Sequence, residues 1–215
     1  MIRPCPNQAA VGDRAETIIV LAREQLAGPI KSRLQPAFTA RQASRLAAAA
    51  LDDTLGVVRR APVLRRILAW EGNPGDRGRG FEVVDQGDGE SDDRLCRALD
   101  SALTDNPGPT MVIATGTPQV TQELLLTSWD GADAVIGLTE NGGYWTIGLR
   151  RGPAADVFAS VPMSADRTGA AQLARLLDLG YAVKCCRRYV MSGRPMTRQF
   201  WQISIRNWSS LGCTG

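Results

Sequence analysis

Two cations spaced by one residue, Lys31 and Arg33, stand in a glycine-containing stretch that reads REQLAGPIKSRL from Arg23 to Leu34. Gly28 lets the backbone approach a ligand. Lys31 and Arg33 can both reach an extended anion such as a diphosphate when the loop curls over it. A solvated turn carrying surface cations accounts for the same residues, so spacing alone leaves both readings open. The Walker pattern GxxxxGK[ST] is absent, which removes that class of phosphate loop.

Three further stretches carry chemistry. Gln86 to Leu95 reads QGDGESDDRL; its carboxylates, Glu90, Asp92 and Asp93 among them, are the oxygen donors that hard divalent cations prefer, although acidic loops are often merely solvated. Arg94 is placed to neutralise them. Ala114 to Pro118, ATGTP, offers Thr115 but no charge, and a tight turn explains Gly116 and Pro118 equally well. Glu140 to Tyr144, ENGGY, sets Asn141, Gly142 and Gly143 where backbone can touch a polar ligand and Tyr144 can cover it; a plain hairpin is the competing reading.

The elements that must position these stretches follow from periodicity. Thr17 to Ala22 is apolar and mostly β-branched, a strand that empties into the cationic loop. Thr39 resembles an N-cap, and Ala43, Leu46, Ala47, Ala50, Leu51, Leu55 and Val58 share one helical face, predicting a helix to about Arg60. Strands are expected at Val63 to Trp70, Phe81 to Val84, Thr110 to Ala114, Ala132 to Leu138, Tyr144 to Leu149 and Tyr181 to Tyr189. Helices are expected around Arg94 to Leu103, Gln119 to Trp129 and Thr168 to Leu179, the last closed by Gly180, with Asn73 to Gly80 a flexible connection. This alternation predicts an α/β fold, a mostly parallel sheet with helices on both faces. Ligands then bind at the carboxyl ends of the strands. Residues 1–16 read as a flexible leader and 191–215 as an atypical tail.

Composition narrows the chemistry. The 215 residues fit one domain, and 44% hydrophobic content suffices for a core on both sheet faces. With 25 cations against 22 anions there is no basic tract of the kind that tracks nucleic acid. Histidine is absent, which removes imidazole acid–base chemistry and histidine metal sites. The five cysteines lack metal spacing, and adjacent Cys185 and Cys186 would point to opposite faces of a strand, so a reducing, cytoplasmic setting is expected. No run is long enough to span a bilayer.

In this order and spacing the four stretches resemble a bacterial family of predicted glycosyltransferases known as DUF2064, related to nucleotide-diphospho-sugar transferases of GT-A fold and to MobA-like nucleotidyltransferases. The resemblance covers about Thr17 to Val190. The family's first loop, KAPVPGRVKTRL, coincides at Gly28, Lys31, Arg33 and Leu34; its QGGGDLGERL coincides at Gln86, Gly87, Gly89, Arg94 and Leu95, with Glu90 at the Asp position; its DGGY falls on Asn141 to Tyr144. The resemblance implies that Ala22, Gly28, Lys31, Arg33, Gln86 and Arg94 bind nucleotide and phosphate. It implies a sugar or acceptor pocket of Thr115, Asn141, Gly142, Gly143 and Tyr144. It also implies Mg or Mn.

The chain departs from this pattern where the acids should stand. Family GTDSP aligns with Ala114 to Pro118, so its metal-binding Asp is Gly116, and the acid of DGGY is Asn141, which hydrogen-bonds but cannot act as a base. A metal would need Glu90, Asp92 or Asp93 instead, and no residue is assigned as catalytic. The family's tryptophan before the last helix is Met163. The closing motif DVDTxxDL is replaced by YVMSGRPMT at Tyr189 to Thr197; because methionine has a single codon, the neighbouring frame can be partly inferred, and its outline resembles DVxTADD. The segment from about Val190 is therefore expected to be translated out of the ancestral frame, which early stops in that frame of the gene would refute. The functions implied are a glycosyltransferase-like protein that binds a nucleotide-diphospho-sugar with weak or lost catalysis, a non-catalytic nucleotide-binding protein of the same fold, or a nucleotidyltransferase.

Overall fold

The computed structural model describes residues 13–23, 39–87, 89, 91–105, 107–115, 118–162 and 166–186. The first strand, β1 (Thr17–Arg23), is apolar along its length because both of its faces are covered. Ile18, Val20 and Ala22 pack into one layer and Ile19 with Leu21 into the other, the alternation a strand imposes.

Helix α1 (Ala40–Arg60) starts where Thr39 accepts from the Gln42 amide at 3.3 Å while the Gln42 side chain accepts from the Thr39 amide at 2.9 Å, a reciprocal capping box. It buries Leu51, Leu55 and Val58 on the Ile18 and Val20 face. After β2 (Arg65–Glu71) the chain makes a short 3-10 turn (Gly75–Gly78) before β3 (Glu82–Asp85). That connection was expected to be flexible, yet Arg59 holds it by donating to the carbonyls of Arg79 at 2.8 Å and Arg77 at 2.7 Å.

Helix α2 (Ser91–Asp105) lies on the opposite face, with Leu95, Leu99 and Ala102 against Ile19, Ile67 and Val112. Strand β4 (Thr110–Ala114), helix α3 (Gln122–Leu125), strands β5 (Ala134–Leu138) and β6 (Tyr144–Leu149), helices α4 (Ala154–Phe158) and α5 (Thr168–Asp178) and strand β7 (Val183–Cys185) follow. Helix α5 ends in a Schellman arrangement: Gly180, at φ +77°, donates to Leu177 and Tyr181 donates to Leu176.

The seven described strands form one sheet in the order β3-β2-β1-β4-β6-β5-β7. Among them only β6 runs antiparallel to its neighbours. Connections β1–α1–β2 and β3–α2–β4 move in opposite directions across the sheet. Right-handed crossovers therefore put α1 and α2 on opposite faces.

Two elements differ from the sequence expectation. The helix expected over Gln119 to Trp129 is a single turn, because the Trp129 amide donates to the Asp13 carbonyl at 2.7 Å and draws the chain to the amino edge of the sheet. Helix α4 was not expected; its N-terminal amide, at Ala154, is held by Asp100 at 2.7 Å rather than by a local cap. The last strand is described only to Cys185, and residues 187–215, with Met163, lie outside the described residues. Among the described residues no helix is long and apolar enough to cross a membrane.

Candidate functional site at the carboxyl edge

The winding reverses between β1 and β4, and their ladder ends at the pair Leu21 and Ala114, whereas β1 stays paired with β2 to Arg23 and Glu71. Open α/β sheets bind ligands outside the strand ends at such a reversal. The ladder of β4 with β6 pairs Ile113 with Thr146, so two residues further on Thr115 comes opposite Tyr144. Ala22, Thr115 and the turn from Glu140 to Tyr144 are thereby brought to one edge.

Gln86, just beyond β3, is 4% exposed. Its Nε2 donates to the carbonyl of Ala22 and, at 2.7 Å, to that of Ala69, while its own amide donates to the Trp70 carbonyl at 3.3 Å. One side chain thus spans the ends of β1 and β2. The Gln86 carbonyl accepts from Arg97 Nη2 at 2.9 Å, and the following turn is set by Gly87 (φ +66°), whose amide donates to Asp85 Oδ1 at 2.8 Å. Arg97 was not singled out from the sequence; its position three residues after Arg94, one helical turn along α2, was the available signal.

Arg94 is largely buried and stands 3.9 Å from Glu71 at the end of β2. Asp93 is exposed on the first turn of α2. Gly28, Lys31, Arg33, Glu90 and Gly116 lie outside the described residues, as does the side chain of Asp92. Among the described residues no three carboxylates or cysteines converge as a metal cluster would.

The Asn141 to Tyr144 motif is a hairpin turn between β5 and β6, in which Thr139 donates from its amide to the Gly143 carbonyl at 3.0 Å and from Oγ1 to Asn141 Oδ1 at 2.5 Å. Its glycines serve close packing. Gly142 has φ +86°, its carbonyl accepts from the Gly169 amide at 2.7 Å, and a Cβ there would lie 1.6 Å from the Asp166 carbonyl oxygen. A Cβ on Gly169 would in turn lie 2.4 Å from the Gly143 carbonyl oxygen. The first turn of α5 is therefore docked on this hairpin, a partnership the sequence did not reveal.

Residues 46–165, more than half of the chain, match the family described as "Uncharacterized protein conserved in bacteria (DUF2064)". The chain belongs to the DUF2064 family. The matched stretch contains the Gln86, Ala114 and Glu140 motifs; the cationic loop precedes it. The DUF2064 chain is similar in structure to a "putative nucleotide-diphospho-sugar transferase" from Desulfovibrio desulfuricans G20, with a TM-score of 0.73 at 19% identity, over 84% of this chain and 83% of that one. It is also similar to 4-diphosphocytidyl-2C-methyl-D-erythritolsynthase from Anaerococcus prevotii DSM 20548, with a TM-score of 0.55 at 12% identity over 92% and 97% of the two chains. A third likeness is to 2-C-methyl-D-erythritol 4-phosphate cytidylyltransferase from Thermus thermophilus, with a TM-score of 0.52 at 16% identity over 91% and 99%. At these identities the likeness is one of fold alone. No curated protein matches the DUF2064 chain.

Proposed function

We propose that this DUF2064 chain binds a nucleotide-diphospho-sugar, with Lys31 and Arg33 gripping the diphosphate where the chain leaves β1, and that its catalysis is weak. The observation that supports this reading is the reversal of winding between β1 and β4. Open sheets generally take their ligands outside the strand ends at such a reversal, which supports looking for the nucleotide at the carboxyl edge. The loop of Lys31 and Arg33 begins at that edge, and Thr115 and the Asn141 to Tyr144 hairpin flank it on the β6 side.

The Mg or Mn that the fold family implies finds a poor donor set in this chain. Gly116 has no side chain to offer, and Asn141 is neutral, with its Oδ1 already accepting from Thr139. Binding is accordingly expected to proceed without a divalent cation, carried by the charge of Lys31 and Arg33. Glu90, Asp92 and Asp93 are the alternative metal donors. A requirement for Mn would point to them.

A panel of nucleoside diphosphates, nucleotide-diphospho-sugars and nucleoside triphosphates, scored for thermal stabilisation with and without Mn, tests the reading. Stabilisation by UDP or GDP that is independent of Mn is expected, and the Lys31→Ala/Arg33→Ala variant should lose at least about tenfold in affinity, the loss of two charge-assisted contacts. Affinity untouched by that double substitution would refute the grip. Nucleotide-diphospho-sugar hydrolysis set against pyrophosphate release separates glycosyl transfer from nucleotidyl transfer.

A further inference from the structure

We propose that Gln86 is a positioning residue that sets where the phosphate-gripping loop leaves the sheet; this rests on the reading that Lys31 and Arg33 hold the diphosphate. Past Leu21, β1 has lost its β4 partner and keeps only β2. A strand end held on one side frays unless something else secures it. Gln86 Nε2 supplies that hold by donating to the Ala22 and Ala69 carbonyls.

A primary amide suits this place because one atom must donate to two carbonyl oxygens at once. An ionised Glu would present only acceptors to them. Both amide hydrogens of Gln86 are committed to backbone oxygens, and the remaining Oε1 is an acceptor, ill-suited to bind a fully ionised phosphate. Gln86 therefore acts on the ligand through Ala22. The brace behind it is Arg97, whose guanidinium donates to the Gln86 carbonyl from α2 and so ties that helix to the end of β1 through Gln86.

Affinity for UDP and GDP, measured calorimetrically without metal, provides the test in the Gln86→Glu variant. About tenfold weaker binding than wild type is expected near pH 8, from two lost hydrogen bonds at the loop's anchor. The ratio of variant to wild-type affinity should recover as the pH falls to about 5, where a protonated Glu regains one donor. In the Lys31→Ala/Arg33→Ala background, Gln86→Glu should have no further effect. Additive losses would overturn the proposal, because they would mean that Gln86 acts independently of the loop, and an unchanged affinity would overturn it too. Should Gln86→Glu fail to fold, Arg97→Met, at an exposed position, removes the brace and should show a smaller loss of the same kind that likewise vanishes without the two cations. If Lys31→Ala/Arg33→Ala leaves binding intact, the grip itself has failed. If that variant binds weakly while Gln86→Glu binds normally, the positioning role alone has failed.

Discussion

The two edges of the sheet are built from different chemistry. At the amino edge charges answer charges: Asp13 accepts from Ser128 Oγ at 2.5 Å, from the Gly131 amide at 3.0 Å and from Arg150 at 2.8 Å, Lys184 meets Asp130 at 2.5 Å, Arg151 meets Asp133 at 3.2 Å and Arg65 meets Glu82 at 2.9 Å. At the carboxyl edge the described strand ends are fastened mostly by neutral groups, with the Arg97 guanidinium behind them donating to the Gln86 carbonyl at 2.9 Å. The Gln86 amide, the Gly142 carbonyl and the Thr139 hydroxyl do most of the fastening, and Arg94 pairs with Glu71 more loosely, at 3.9 Å. One edge uses its charge to hold itself together. The other, among the described residues, relies mostly on neutral side chains and backbone groups, which leaves fewer paired charges where the anion is proposed to bind.

Glycines of the same backbone class at the two edges give the sharpest contrast. Gly142 and Gly131 both have positive φ, +86° and +76°, but a Cβ on Gly142 meets the Asp166 carbonyl whereas one on Gly131 meets nothing within 4 Å. Gly142→Ala should therefore lower unfolding free energy by about 3 kcal/mol, from left-handed strain plus a displaced α5, and Gly131→Ala by about 1 kcal/mol, from strain alone. Urea melts of both variants decide it. Equal losses would mean that α5 does not lock the hairpin.

The same contrast shows what the sequence could convey. Local patterns were legible: the alternation of Ile18, Ile19 and Val20, the Thr39 cap, and the adjacent cysteines, of which Cys185 is exposed while burial pushes the Cys186 thiol up to about 11. The mostly parallel sheet with helices on both faces followed from how helices and strands alternate, whereas the order of its strands did not. What was not legible depends on partners far apart in the chain. Asp13 catching Trp129 shortened a helix that propensity alone would extend, and Asp100 capping α4 across 54 positions left no local signal. At the site, the motif showed that glycines recur at 142 and 143, but only packing showed that α5 is what approaches them. Gln86 stood out in the sequence as part of a motif, not as a clasp, because the carbonyls it holds belong to β1 and β2.

A smaller effect is expected where the chain re-enters the fold at the carboxyl edge. Thr39→Ala removes the side-chain half of the capping box of α1 and should cost about 1 kcal/mol in a urea melt. Thr39→Asp, which keeps the acceptor and adds favourable charge at the helix N-terminus, should recover it. A loss that Asp does not recover would show that the cap is not what holds this end of the loop.

The smallest effect belongs to the charged edge and depends on pH. The Ser128 hydroxyl, with the Gly131 amide and Arg150, holds the Asp13 carboxyl below its ordinary range. A carboxylate whose folded pKa is depressed stabilises the fold above the pKa it has in the unfolded chain, and that stabilisation is lost as the pH falls through the folded value. Asp13→Asn should therefore melt only a few degrees below wild type near neutrality, because these contacts are partly solvated and screened by salt. The gap should close as the pH falls below about 4, where the unfolded carboxylate takes up its proton. UDP affinity should be unchanged by the substitution throughout. A variant that instead lost ligand affinity in step with its stability would show that the two edges are not separable, and the division of labour between them would fail.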